Sequence, residues 1–362
     1  MIVKRSKGVT LVELLVSIAV AVIVLGAVFQ SYLAILKPQI QESKISESFI
    51  GSGMAFEILR KDIELAGFGL PWDMNGKTYS EAASSGSFTP NPTVFNDATS
   101  QVPRAIVFSD NGNTNASNSD VLVIKSTIAS WNAEAMQWGY LYNDGGSVSY
   151  QPLSPEAGSS GYFSVLDVNK KLVDYKYQST NFPLPSSGGI YLAYGLASVS
   201  PRMPFNRVDY YLKRPTNNFP EKCSNSSYLL YRSTINHGDG RRNEQPIMNC
   251  VLDFQVAFAL DTNGDGDIDS WVSQEANYPN NAKDIREEVL EVRVFILHQS
   301  GQKDMGYTQS LDTCADDTKG IVIGDTATGE LKCVHLSNED RHYRWIVSTL
   351  TINTLNLKSR ER

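Results

Sequence analysis

The sequence from Lys4 to Leu15 reads KRSKGVTLVELL, within a chain of 362 residues. Three basic side chains precede Gly8, and an apolar run from Val9 to Phe29 follows it. A run of this length spans a bilayer as one helix. Glu13 interrupts the run, although a carboxylate at that depth costs about 2.5–3.5 kcal/mol on insertion scales. Its presence there indicates that the protein uses it.

The order of these signals separates the segment from other export signals. A secretory signal peptide places its apolar region before a small-residue cleavage site. Here Gly8 precedes the apolar region, so cleavage after it would leave the helix on the mature protein. An ordinary signal anchor is the remaining alternative.

This arrangement resembles the type III signal of type IV pilins and their relatives. The resemblance implies that a prepilin peptidase cuts between Gly8 and Val9 and that the new amino terminus is methylated. Valine replaces the phenylalanine that is usual at the first mature position. In this family the carboxylate at the fifth mature position, here Glu13, helps subunits to assemble. A cation and a carboxylate in hydrocarbon offset one another only when paired, so we expect Glu13 to bind a neighbour's terminal amine.

The basic residues before the apolar run also predict the topology. Lys4, Arg5 and Lys7 favour a cytoplasmic leader and an exported head. The expected divisions are a leader at 1–8, a helix at 9–66 with 9–36 in the membrane or filament core, and a head at 67–362. We therefore expect a single-pass inner-membrane protein with a periplasmic head, which later reaches a cell-surface pilus.

The helical pattern continues in amphipathic form beyond the membrane. Pro38 predicts a kink or the point of membrane exit, and Gly67 predicts the end of the helix. The apolar positions expected to pack on the head are Ile50, Met54, Ile58, Leu59 and Ile63.

The rest of the chain predicts a mostly antiparallel β head, which gives an α+β fold. Residues 75–119 are rich in Ser, Asn, Thr, Gly and Pro and predict mainly loop. Half-buried antiparallel strands show alternating polar and apolar residues. The candidate strands are Arg104–Phe108, Val121–Ser126, Tyr162–Val168, Gly189–Tyr194, Val208–Leu212, Tyr228–Arg232, Val251–Leu260, Val289–His298 and Trp345–Leu355.

Four further segments are informative: the end of the helix at Ile58–Phe68, the strand Val208–Leu212, the acidic loop from Asp261 and the segment Arg341–Thr349. Together they resemble the PilW-like minor pilins. The resemblance implies a minor pilin near the tip of a type IV pilus that helps to initiate assembly with other minor pilins and the major pilin. In related secretion systems the tip subunit lacks the glutamate, so Glu13 implies a position just beneath a tip partner. The alternatives are a J-type pseudopilin of type II secretion and a pilus-borne adhesin.

Composition and motifs argue against two other classes. The net charge of −7 disfavours binding of nucleic acid, whose phosphates attract basic surfaces. No nucleophile elbow, phosphate loop or H-E-x-x-H motif occurs, so we do not expect an enzyme.

Four cysteines lie in the half of the chain expected to be exported, where disulfides persist. They are Cys223, Cys250, Cys314 and Cys333. Three connectivities are possible, of which we favour sequential pairing because it closes short loops. A zinc site is the alternative, although no C-x-x-C motif occurs.

One acidic loop follows the beginning of an EF-hand calcium loop. The oxygen ligands would be Asp261, Asn263, Asp265 and Asp269, with the carbonyl of Asp267. The position of the bidentate glutamate is held by Val272, and a strand is predicted before the loop. The sequence therefore predicts weak Ca²⁺ binding, and a solvated acidic turn is the alternative.

Overall fold

A computed structural model describes residues 10–84, 89–154, 161–178, 180–196 and 200–357, with the backbone alone at 33–50. It contains one long helix, α1 (Leu11–Glu64), followed by a head of mostly antiparallel strands. The predicted α+β fold is confirmed. At 1.5 Å per residue a helix of 54 residues is about 80 Å long, far more than a bilayer requires.

The head contains three antiparallel sheets and a short helix, α2 (Ala282–Glu288), in the described part of the chain. The strands in chain order are β1 (Ile106–Asn113), β2 (Ser119–Ser126), β3 (Trp138–Asn143), β4 (Val148–Pro152), β5 (Tyr162–Asp167), β6 (Leu172–Gln178), β7 (Ile190–Gly195), β8 (Asn206–Lys213), β9 (Tyr228–Ile235), β10 (Arg242–Leu260), β11 (Ser270–Val272), β12 (Val289–Ser300), β13 (Asp312–Thr313), β14 (Lys319–Asp325), β15 (Gly329–Val334) and β16 (Arg344–Asn353).

The largest sheet has the order β1-β2-β8-β9-β10-β12-β16, and β11 pairs with β10. Strand β10 bends at Cys250, whose φ is +56°. Its first half therefore pairs with β9 and its second half with β12. A second sheet has the order β4-β3-β7-β5-β6, and a third has the order β13-β14-β15.

Strand β12 shows how alternation builds two cores at once. Val292, Val294 and Ile296 are buried in the main core, which also receives α1. Phe295 and Leu297 point to the opposite face and pack with the third sheet. The strand is thus buried on both sides over much of its length.

The end of α1 packs on β10, β12 and β16 through a face that differs from the predicted one. Leu59 and Ile63 are buried as predicted, but Met54 is 67% exposed, so its placement on this face was wrong. Ser52 and Ala55 are buried instead, because small side chains let the helix backbone approach the sheet closely. Side chains at Ile50 and Pro38 lie outside the described ones.

The helix continues past Pro38 and ends at Glu64, close to the predicted end at Gly67. All nine predicted strands overlap strands of the structure. The prediction missed β3, β4, β6, β11 and β13–β15, and it placed a loop where β1 continues to Asn113. Much of the remaining loop, from Thr78 to Arg104, is packed against the main sheet by polar contacts described below.

Candidate functional site

The described amino-terminal part of α1 is an apolar helix that no other part of the described chain packs against. The segment Leu11–Tyr32 has a mean hydropathy of 2.8, and none of its side chains is buried. Its length and composition suffice to cross a membrane. In this segment only Glu13 carries a charge.

Glu13 takes part in a reciprocal cap at the start of the helix. The Thr10 hydroxyl accepts a hydrogen bond from the Glu13 amide at 3.2 Å, and Glu13 Oε2 accepts one from the Thr10 amide at 3.2 Å. The sequence Thr-Leu-Val-Glu before an apolar run is the signature of this capping box, and sequence analysis overlooked it. Glu13 therefore has a local role in addition to the predicted one. The predicted cleavage and methylation residues, Gly8 and Val9, lie outside the described residues.

A buried carboxylate in the last turns of α1 holds the helix to the head. Asp62 accepts hydrogen bonds from Arg232 Nε at 2.7 Å, Tyr210 Oη at 2.5 Å and Trp131 Nε1 at 2.5 Å. Arg232 also donates to the carbonyl of Ala129. Burial and the neighbouring Asp62 raise the pKa of Tyr210 well above its usual range, so its hydroxyl stays a donor. One helix residue thus contacts β8, β9 and the segment before β3.

A second group of buried charges joins the segment 78–104 to the main sheet. Its basic members lie at strand ends and its acidic members lie mainly in the segment. They are Lys125, Arg207 and Arg242, with Glu81, Asp97 and Asp209. All six residues are at most 7% exposed. Buried charges are tolerated when they are paired and hydrogen-bonded, as these are.

Two cations connect the three acids of this buried ion network. Lys125 Nζ lies 2.9 Å from Glu81 Oε2 and 2.6 Å from Asp97 Oδ2. Arg207 donates from Nε to Asp209 Oδ1 at 2.7 Å and from a terminal nitrogen to Glu81 Oε2 at 3.1 Å. Each acid therefore has a cation within direct contact, and none faces solvent.

The same network also holds the backbone of the segment. Arg207 donates to the carbonyl of Pro92 at 2.8 Å, and Arg242 donates to the carbonyl of Pro90 and to Asp209 at 2.7 Å. Burial alone would raise the pKa of Asp209, but Arg207 and Arg242 outweigh it and hold this pKa below its usual value. The network is closed to substrates and acts as a clamp.

The four cysteines form two disulfides in the head. Cys223 pairs with Cys250 at a Cα separation of 5.0 Å, and Cys314 pairs with Cys333 at 5.9 Å. This is the sequential connectivity. All four sulfurs are bonded, so the zinc alternative was wrong. The first bond holds the chain before β9 to the bend of β10, and the second holds the chain after β13 to β15.

The acidic loop is a hairpin between β10 and β11 that is held by its own amides. Asp261 accepts hydrogen bonds from the Gly264 and Gly266 amides at 2.6 and 2.9 Å. Asp269 accepts from the amides of Thr262 and Asn263. Within the described parts of the chain no three acidic, histidine or cysteine side chains gather to hold a metal.

Sequence reasoning missed three of these features for different reasons. Thr10 could have been found from the capping-box motif. Asp62 stands in the segment whose resemblance was noted, but no pattern predicts its partners. The buried ion network depends on pairs such as Arg207 and Glu81, which lie 126 residues apart.

The comparisons with known families agree with this architecture. Residues 3–29 match the sequence model of the Prokaryotic N-terminal methylation motif. Together with the long apolar helix, this match supports a type IV pilin-like protein with a prepilin signal.

Residues 209–356 match the sequence model of Type IV Pilus-assembly protein W, PilW. The two matches together support a PilW-like type IV minor pilin, as the sequence predicted. Comparison with curated proteins and with solved structures found no match.

Proposed function

We propose that this minor pilin enters a type IV pilus near its tip and helps to initiate assembly, with a structural rather than catalytic role. The carrying observation is the segment Leu11–Tyr32, apolar and exposed throughout, with Glu13 as its one charge. Such a surface requires a bilayer or the helices of other subunits. The PilW match supports a place in the pilus rather than in type II secretion. Recovery of the chain in sheared pili tests this, and its absence there would favour the secretion pseudopilin.

Processing is the first step of the proposal. A prepilin peptidase cuts between Gly8 and Val9 on the cytoplasmic side, and the head lies in the periplasm until assembly. The intact mass of the membrane-extracted protein should lack residues 1–8 and carry up to one added methyl group. Gly8→Leu should remain uncut, whereas normal maturation of this variant would contradict a prepilin signal.

Assembly is the second step, and Glu13 carries it by pairing with the terminal amine of a neighbouring minor or major pilin. Glu13→Ala should mature and insert normally but co-purify poorly with the other minor pilins. Glu57→Ala is the matched control, because Glu57 is a solvent-exposed glutamate of the same helix with a side chain that is 64% exposed. Equal recovery of both variants with the other pilins would show that Glu13 is not the assembly contact.

Calcium binding by Asp261–Asp269 remains a prediction. Val272 stands where a bidentate glutamate would complete the site, so the affinity should be no better than about 10⁻⁴–10⁻³ M. Calcium should then raise the melting temperature of the full chain by linkage. Asp261→Ala combined with Asp265→Ala should abolish that rise, and a rise that persists in the double variant would place the ion elsewhere.

A further inference from the structure

A polar groove opens on the head, and its described lining includes no residue of α1 or of the acidic loop. It has a volume of about 670 Å³ and lies between the segment 78–80, strand β6 and the turns at 200–202 and 237–238. Its lining includes the hydroxyl side chains Ser80, Thr99 and Ser200. The volume falls within the roughly 300–1,000 Å³ of small-molecule sites.

The groove carries positive charge without compensation. Lys176 and Arg202 line it, and its described lining includes no aspartate or glutamate. Lys176 Nζ lies over the Tyr175 ring at 5.4 Å and has no carboxylate in contact among the described residues. His237 adds no charge at neutral pH, because burial and Arg202 lower its pKa to about 4. This is unusual in a chain with a net charge of −7.

Arg202 is held in place without using its guanidinium. Its carbonyl accepts from the Ser80 amide at 2.8 Å, and its amide donates to His237 Nδ1 at 3.3 Å. The guanidinium packs against Gly240, where an added Cβ would lie 2.9 Å from the guanidinium carbon. Gly240 has a φ of +76°, so glycine is favoured there for its backbone as well.

The donors of that guanidinium have no acceptor among the residues that the structure describes. Among the described residues, the Arg202 side chain has neither a hydrogen-bond acceptor nor a carboxylate within ion-pair distance, and its Nε is completely buried. A buried donor left without a partner costs about 1–3 kcal/mol. In the arginines of the buried ion network, by contrast, each side-chain nitrogen has an acceptor. A fixed arginine with free donors at the wall of a polar groove is suited to an external acceptor.

We propose that this groove binds a small molecule that bears a carboxylate or phosphate group. The planar fork of Arg202 matches the paired oxygens of either group, and Lys176 adds a second positive charge at the opening. The hydroxyl groups of Ser80 and Thr99 supply further hydrogen bonds. The inference does not depend on the role of Glu13 or on the position of the subunit in the pilus.

The test is isothermal titration of the detergent-solubilised full chain with inorganic phosphate and with citrate, at constant ionic strength. Binding of at least one is expected. Arg202→Gln should weaken it about tenfold or more, since a charged hydrogen bond is worth roughly 1.5–3 kcal/mol. Lys176→Gln should weaken it about threefold, because Lys176 contributes charge from an exposed position. Lys283→Gln, an equal loss of charge on α2, should leave binding unchanged.

Lys176 and its control Lys283 are exposed, so these variants keep the test valid even if Arg202→Gln fails to fold. Absence of heat with both anions at about 10 mM would overturn the proposal, since that concentration would detect even millimolar affinity. Equal affinity in wild type and the groove variants would do the same, as would a loss specific to Lys283→Gln. Tighter binding of a glutamate-rich hexapeptide than of citrate would assign the groove to a partner's acidic segment and overturn the small-molecule proposal.

Discussion

The exposed part of α1 and the interior of the head differ in how their charged side chains are paired. Between Leu11 and Tyr32 the helix carries one carboxylate, Glu13, whose hydrogen bonds in the chain come from Thr10. The buried ion network of the head instead encloses three basic and three acidic side chains within direct contact of one another. Arg104 joins it from the rim through Asp97 at 2.6 Å.

The difference separates two reasons for keeping a charge in an apolar setting. Charges that pair with one another within the fold have a structural role. Here they hold the segment 78–104 against the main sheet. Glu13 has no cation within contact among the described residues, so we propose that another molecule supplies its partner. Arg202 belongs with Glu13 in this respect, although it lies in the head.

The largest expected effect comes from opening the buried ion network. Arg207→Met should lower the free energy of unfolding by about 3–5 kcal/mol, because it leaves buried Asp209 and Glu81 with one cation fewer. Urea unfolding of the detergent-solubilised full chain measures this. Arg241→Met is the control, since Arg241 is exposed and should change stability by less than about 1 kcal/mol. Equal effects of the two changes would show that the network is not a clamp.

The next effect concerns the junction between the two regions. Asp62→Ala should lower the free energy of unfolding by about 2–3 kcal/mol, since it leaves Arg232 and Tyr210 as buried donors without their acceptor. Trp131 is 38% exposed and can turn to water, which limits the loss. Hydrogen exchange should also speed up in the last turns of α1. Glu57→Ala, an exposed change on the same helix, should alter neither quantity.

A pH effect is also expected, with opposite signs for two kinds of buried carboxylate. The folded pKa of Asp209 lies below the unfolded value of about 3.9, so its contribution is present above that pH and is lost as the pH falls further. Burial raises the pKa of Asp120 to about 8, so its contribution is present below about pH 4 and is lost as the pH rises to about 8.

Urea unfolding across this range should therefore show a loss of stability below about pH 4 and a decline between about pH 4 and 8. Asp120→Asn should flatten the second slope and leave the acid loss intact. An unchanged slope in this variant would mean that Asp120 does not cause it.

The two regions also differed in how well the sequence predicted them. The helix and its signal are local patterns, so Gly8, Glu13 and the apolar run were recognisable in the sequence without knowledge of the fold. The clamp was not, because Glu81 and Asp97 stand in a stretch rich in Ser and Asn and their partners come from distant strands. Strands β3 and β4 were missed because their outward faces are polar or half-buried aromatic, which weakens alternation. Met54 was misplaced because a spacing of four residues does not show which face of a helix packs on a sheet. Here the packed face of the helix carries small side chains.

The smallest effect on stability is expected at Glu13. Its substitutions separate the role of the charge from the role of the helix cap. Glu13→Gln should leave the unfolding of the head unchanged within about 0.5 kcal/mol, because the residue is exposed and far from the network. Glutamine preserves the capping box with Thr10 but removes the charge, whereas Glu13→Ala removes both. If pairing with a neighbour's amine drives incorporation, both variants should co-purify poorly with the other pilins. Normal co-purification of Glu13→Gln beside a defect in Glu13→Ala would show that the helix cap, rather than the charge, is what assembly requires.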